Sequence, residues 1–136
     1  NAHKGEHGHV LCVGGEEGMG GAVRLCAEGA LRTGVGLASV ATRRSGVAAL
    51  VAFPLRVGSE GGQARRVGRA ELLRSFDKVF TPTVVKAVLA QDPAALFQNY
   101  QGVMFGNGEV WAAEVCPPKR QAPCPLRVIT VNQPAR

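Results

Sequence analysis

His9-Val10-Leu11-Cys12-Val13-Gly14-Gly15-Glu16-Glu17-Gly18-Met19-Gly20-Gly21-Ala22 passes from an apolar strand through a glycine turn into a helix. An almost wholly apolar run of five residues suits a strand covered on both faces, as in a parallel sheet. Glycines let the backbone of the turn approach a ligand, and the start of the helix presents free N–H groups. The helix is expected from about Ala22 to Thr33, with Ala22, Cys26 and Ala30 on one stripe and Val23, Ala27 and Leu31 beside it. Gly34 stands where a left-handed residue closes a helix. Leu37-Ala38-Ser39-Val40-Ala41 then reads as a second parallel strand, completing a βαβ unit expected to be right-handed. The turn lacks the Gly-Lys-Ser/Thr of a Walker A loop and a clean Gly-x-Gly-x-x-Gly, so by itself it reads equally as a structural turn or as a ligand-binding one.

From Val47 the pattern changes. Val47–Val51 reads as the end of a helix, Phe53–Val57 as a short strand broken by Pro54, and Gly58–Gly68 as a polar turn region. Arg69–Phe80 is expected to be one amphipathic helix with Leu72, Leu73, Phe76, Val79 and Phe80 as its core stripe. Thr81-Pro82 starts the next helix, with Thr81 as cap and Pro82 at the first position, and Val84, Val85, Val88 and Leu89 as its apolar face. Asp92-Pro93 repeats that signal for a short third helix. Three strands follow, Gln101–Phe105, Glu109–Val115 and Leu126–Val131, with a Gly-Asn-Gly hairpin turn at Gly106–Gly108. Helices first and antiparallel strands after make this portion α+β.

Composition excludes some functions. No apolar run approaches the roughly 20 residues of a membrane span. Net charge is +6, and residues 1–45 hold five Lys/Arg against four Asp/Glu, so the excess basicity lies behind them. Arg65, Arg66, Arg69 and Arg74 are its densest part. Only Phe76 and Phe80 lie near, at core-like helical spacing, so the patch reads as a solvated basic face and not as a nucleic-acid surface. Cys12 and Cys26 fall within apolar patterns and read as buried small hydrophobes that stay free. Cys116 and Cys124 bracket a proline-rich loop between two strands. A disulfide there would imply an oxidising compartment, and two unpaired thiols are the other reading. No zinc ligand set is available behind residue 9. His3, His7 and His9 read as adventitious, so no metal site is assigned. Trp111 reads as core, and Asp77, Glu109 and Glu114 form no acid/base set, although Glu109 could face a cleft.

The wording of the front segment is more specific than its pattern. His3-Lys4-Gly5, Gly8-His9-Val10-Leu11, Gly14-Gly15, Gly18-Met19-Gly20-Gly21-Ala22 and Ala30-Leu31-Arg32-Thr33-Gly34-Val35-Gly36-Leu37 closely resemble the ribokinase-like NAD(P)H-hydrate dehydratase family. That resemblance implies repair of hydrated NADH or NADPH at the expense of ADP or ATP. It implies that Gly21 and Ala22 line the hydrated-nicotinamide site with Met19 and Gly20 nearby, Gly20 standing where such sequences more often carry proline. It also implies that the general acid/base Asp and the nucleotide-clamping glycine loop lie far downstream, and nothing behind Arg43 matches them, so no catalytic residue is assigned. Phe53-Pro54-Leu55, Phe76–Pro82, Tyr100–Met104, Gly108–Trp111, Cys116 and Ile129–Asn132 resemble instead an exported bacterial module of unknown function, with a layout similar to nuclear-transport-factor-like α+β folds.

The expectation is therefore an α+β chain in two parts. Residues 1–45 form a βαβ fragment of a ribokinase-like α/β fold. Residues 46–136 form a small helices-then-antiparallel-sheet, nuclear-transport-factor-like domain. The function expected is that of an NAD(P)H-hydrate dehydratase fragment, inactive as this chain and cytoplasmic. The alternative is a non-enzymatic exported or periplasmic binding or structural module.

Overall fold

The computed structural model describes residues 7–14, 20–121 and 123–134. The chain divides into two compact units, residues 1–49 and 50–136. In the first, strand β1 (His9–Val13) leads to helix α1 (Gly20–Arg32), strand β2 (Leu37–Ala41) and a short helix α2 (Arg44–Ala48). β1 and β2 pair in parallel, with Val10 opposite Ala38 and Cys12 opposite Val40. Those four residues share one sheet face, and α1 lays Val23 and Ala27 against it. α1 closes at Gly34, which takes φ +100°. The Val35 N–H donates to the Ala30 carbonyl and the Gly34 N–H to the Leu31 carbonyl, satisfying helix-end acceptors.

The expectation of a strand covered on both faces fails at β1. Leu11 and Val13 are 62% and 76% exposed, because α1 covers one side only. The helix stripe also differs. Val23 and Ala27 carry the packing, whereas Ala22 and Cys26 are exposed. Small residues at all of these positions left the rotation of the helix undetermined, and the larger Val23 takes the sheet side.

The second unit begins with β3 (Val51–Ser59) and β4 (Arg65–Val67). Helices α3 (Arg69–Arg74), α4 (Phe76–Val79) and α5 (Pro82–Ala90) follow, then a 3₁₀ turn at Pro93–Ala95. Strands β5 (Phe97–Asn99), β6 (Gly102–Phe105), β7 (Val110–Glu114) and β8 (Leu126–Gln133) complete it. The six strands form one sheet in the order β4-β3-β8-β7-β6-β5. All neighbours are antiparallel except β3 and β8, which run parallel. The sheet is thus mixed, not the purely antiparallel one expected, and two of its strands precede the helices.

Several boundaries move for local reasons. Val51 starts β3 instead of ending a helix. β3 also runs through Pro54, which lies inside a register shift between Val51 and Arg56, where the ladder with β8 is already irregular. The expected turn region at Gly58–Gly68 is a hairpin, since Val67 faces Leu55 across it and both are fully buried. The single helix expected over Arg69–Phe80 is two helices. Ser75, at φ −125° and ψ 35°, interrupts it, as a weak helix former can at small cost. Phe76 and Phe80 stack with centroids 5.0 Å apart. Thr81 caps α5 as expected, its Oγ1 accepting from the Val84 N–H at 3.4 Å. Val84 is buried, but Leu89 is 80% exposed and Val85 is also exposed. Asp92 caps the 3₁₀ turn through a 2.9 Å bond from Ala94 N–H.

Alternation along the strands sends Leu55, Val57, Val110, Ala112 and Val131 to one buried face. Leu72, Val79 and Val84 of the three helices are fully buried with them, and α5 packs on β8. Cys116 and Cys124 are joined by a disulfide with Cα atoms 5.1 Å apart, closing the loop between β7 and β8. Glu114 Oε2 accepts from the Cys124 N–H at 3.3 Å and ties the same loop. Closing a loop of this length should contribute about 2–3 kcal/mol by restricting the unfolded chain. The Cys116→Ser/Cys124→Ser double variant should therefore lose about that much in urea unfolding, and adding reductant to the parent protein should reproduce the loss.

Candidate functional site

Gly20, Gly21 and Ala22, singled out by the sequence, lie at the start of α1. β1 ends at Val13, and the Gly14 N–H donates to the Ala41 carbonyl at 3.1 Å, extending the ladder with β2. Residues 15–19, including Met19, lie outside the described residues. Gly20, Gly21 and Ala22 form the first turn of the helix. Gly21 and Ala22 are exposed, and no atom lies within 4 Å of where a Gly21 side chain would begin. The N–H groups of this turn have no partner within the helix. They are placed to receive a carbonyl or anionic oxygen, and the missing side chain at Gly21 leaves a close approach open.

Next to the turn stand the two free cysteines. Cys12 is buried under α1 and Cys26 is exposed on it, with the Cys12 thiol hydrogen-bonded to Cys26 Sγ at 3.5 Å. The hydrogen bond to Cys26 raises the Cys12 pKa above the ordinary thiol value, and burial and the charge of an ionised Cys26 push it the same way. Both thiols are free, as expected; the correction is that Cys26 faces solvent.

The other carboxylates do not meet. Asp77 lines a cavity with Lys78 and Thr81, Glu109 lines a different one with Trp111, and Glu114 holds the disulfide loop. Among the described residues no three His, Cys, Asp or Glu side chains gather as a metal site. His7 and His9 are exposed, and His3 lies outside the described residues. Trp111, expected in the core, is only half-buried. It lies between Val110 and Ala112, which take the buried face, so its ring goes to the other side of the sheet. Sequence reasoning passed over Arg56, Met104 and Asn132, which line the same cavity. They are brought there by strand register, for which the linear sequence carries no signal.

A strand, a glycine turn and a helix whose open first turn lies over a parallel pair define a ligand-approach unit of α/β enzymes. Residues 10–82 match the NAD(P)H-hydrate dehydratase family, more than half of the chain, and the chain belongs to that family. The match runs past the front segment and through β3, β4, α3 and α4, further than the resemblance at residues 1–43 foretold. The bifunctional NAD(P)H-hydrate repair enzyme of Coxiella burnetii is 65% identical over 43 residues, 32% of this chain and 9% of that protein. The Escherichia coli enzyme of the same description is 46% identical over 50 residues, 37% of this chain and 10% of its own. The ADP-dependent (S)-NAD(P)H-hydrate dehydratase of Staphylococcus aureus is 40% identical over 50 residues, 37% and 18% respectively. The aligned stretches span about a tenth of the length of the first two of these relatives. No solved structure matches the chain.

The two thiols should differ in chemistry. Cys26 should take iodoacetamide readily because it is exposed. Cys12 should lag, and its rate should keep climbing above the pH at which an ordinary thiol has levelled off, because only the thiolate reacts. Peptide mass mapping of alkylation against pH reads both, and equal rates at pH 8 would contradict the arrangement.

Proposed function

We propose that this chain is a segment of an NAD(P)H-hydrate dehydratase, and that its α1 turn forms part of the hydrated-nicotinamide site. Met19, Gly20, Gly21 and Ala22 would line that site, and ADP or ATP would be the nucleotide consumed. The family match over residues 10–82, with its strand, turn and helix in order, is the observation that carries the reading. The ADP-dependent description of the Staphylococcus aureus and Streptococcus thermophilus relatives supports ADP as the nucleotide. Dehydration needs a group that moves a proton and a clamp that aligns the nucleotide. Around the turn the described residues supply open N–H groups and no acid or base beyond two thiols. On this reading the described residues of the turn serve positioning, and the chain belongs in the cytoplasm.

Purified protein mixed with hydrated NADH and either ADP or ATP should restore no nicotinamide absorbance above the blank. Nucleotide-dependent turnover that disappears in Gly21→Trp would reverse the conclusion that the chain is inactive by itself.

The disulfide favours a second reading. A Cys116–Cys124 bond suits an oxidising compartment, and residues 50–136 would then act as an exported binding module with a nuclear-transport-factor-like arrangement of helices and sheet. β1 and β2 form one sheet, and the six strands of residues 50–136 form another. On this reading a polypeptide of residues 50–136 melts cooperatively in oxidising buffer, and one of residues 1–49 shows no cooperative melt. Circular dichroism on the two pieces decides. The reverse pattern would remove the module.

A further inference from the structure

The face of the second unit's sheet that is opposite the buried one carries a graded row of side chains. Register places Phe97, Met104, Trp111, Thr130, Arg56 and Arg66 opposite one another across successive strands. One end is apolar, with an aromatic ring, a thioether and an indole. The centre is a hydroxyl, and the other end is two guanidinium groups. Thr130, the smallest of the six, lies between Trp111 and Arg56. Its two larger neighbours stand two strand spacings apart, roughly 10 Å. A cavity of about 610 Å³ opens here, lined among others by Arg56, Gly58, Met104, Glu109, Trp111 and Asn132. A smaller one of about 240 Å³ adjoins it over Thr130 and shares Arg56, Trp111 and Asn132.

The polar parts of this cleft are held in place from below. Asn132 Nδ2 donates to the Gly108 carbonyl at 2.8 Å, and its backbone N–H to the Glu109 carbonyl at 2.7 Å. Its Oδ1 is thereby turned over Gly58. A side chain at Gly58 would begin 2.6 Å from that oxygen and 3.8 Å from Arg56 Nη1. The glycine keeps the floor open between the amide and the guanidinium. Glu109 is occupied by the hairpin, its Oε2 accepting from the Asn107 N–H at 2.6 Å. Arg56 is exposed, and among the described residues it makes no ion pair or side-chain hydrogen bond.

We infer that this cleft binds a small amphipathic carboxylate, its head on Arg56 and its apolar body across Thr130 onto Trp111 and Met104. A guanidinium fork matches a carboxylate in two parallel hydrogen bonds. The indole face and the flexible thioether accept an apolar chain without demanding one shape. Charge argues for a monoanion over a phosphate. The cavity is lined by one guanidinium, Arg56, and by the carboxylates Glu60 and Glu109, so a single negative charge seated on Arg56 is tolerated where the second charge of a phosphate would be repelled. The site belongs to residues 50–136 and does not depend on the dehydratase reading.

Trp111 is the single tryptophan of the chain, so its fluorescence reports the cleft directly. The full protein is titrated with octanoate, 1-octanol, acetate and inorganic phosphate. Octanoate should change the emission saturably, at least tenfold more tightly than 1-octanol, and acetate should do nothing at the same concentrations. Arg56→Gln should abolish the preference for octanoate over octanol while leaving octanol unchanged. Gly58→Ala should weaken octanoate at least tenfold. Because Arg56 is exposed, its variant tests binding without disturbing the core, and circular dichroism verifies this. Equal affinity for octanoate and octanol, an unsaturable response, an unaltered preference in Arg56→Gln, or displacement of octanoate by an equal concentration of phosphate would each overturn the assignment.

Discussion

The second unit rests on the parallel pairing of β3 with β8, its first strand and its last. β8 lies between β3 and β7, and among the described residues it alone joins the β3–β4 hairpin to the β5–β6–β7 meander. Remove it and the sheet falls into a two-stranded hairpin and a short three-stranded meander, and the core shared between them is lost. Leu55 and Val57 from one side and Val110 and Ala112 from the other meet around Val131, which is fully buried. The contact closes a loop of roughly seventy residues, whose entropic cost grows only with the logarithm of its length. Burial along a nine-residue and an eight-residue strand offsets it. The disulfide loop sits at the entry to β8, where it limits how far that strand can stray from β7 before pairing.

The same pairing creates both faces of the sheet. By fixing register it sends Leu55, Val57 and Val131 toward the helices and Arg56 and Thr130 away from them. A slip of one residue would bury a guanidinium and expose three core residues, so register is under strong selection by burial alone. Core and cleft are two consequences of one alignment. That is why Arg56 is flanked in sequence by two of the most buried side chains of the protein.

Local chemistry was legible where a residue type has one structural use. Gly34 at the end of α1, Thr81-Pro82 and Asp92-Pro93 at helix starts, and the Gly106-Asn107-Gly108 hairpin all stand where their residue types demand. The cysteine pairing followed from a short loop between neighbouring strands. What depended on partners distant in sequence was not legible. Val51 looked like a helix end because its strand partner, Val128, lies far down the chain. Pro54 looked like a strand break because the register shift that accommodates it exists only in three dimensions. Trp111 looked like core because large aromatics usually are, and only the burial of Val110 and Ala112 on either side decides its face. At the front the wording of the glycine turn carried the family, while the exposed side of β1 followed from which strands happen to be neighbours. The family match, reaching residue 82, crosses from the first unit into the second, so relatedness and compactness divide this chain at different places.

Among the described residues β1 and β2 pair with no other strand, and the side of β1 that carries Leu11 and Val13 is exposed. A ribbon of two strands is all margin: each strand has one side along which an extended chain can be added through main-chain bonds. Such a margin has no preference among sequences, since the bonds it offers are main-chain bonds. A second molecule of the same protein, met often enough, satisfies it as well as any other. Association of this protein with itself should therefore rise with its concentration.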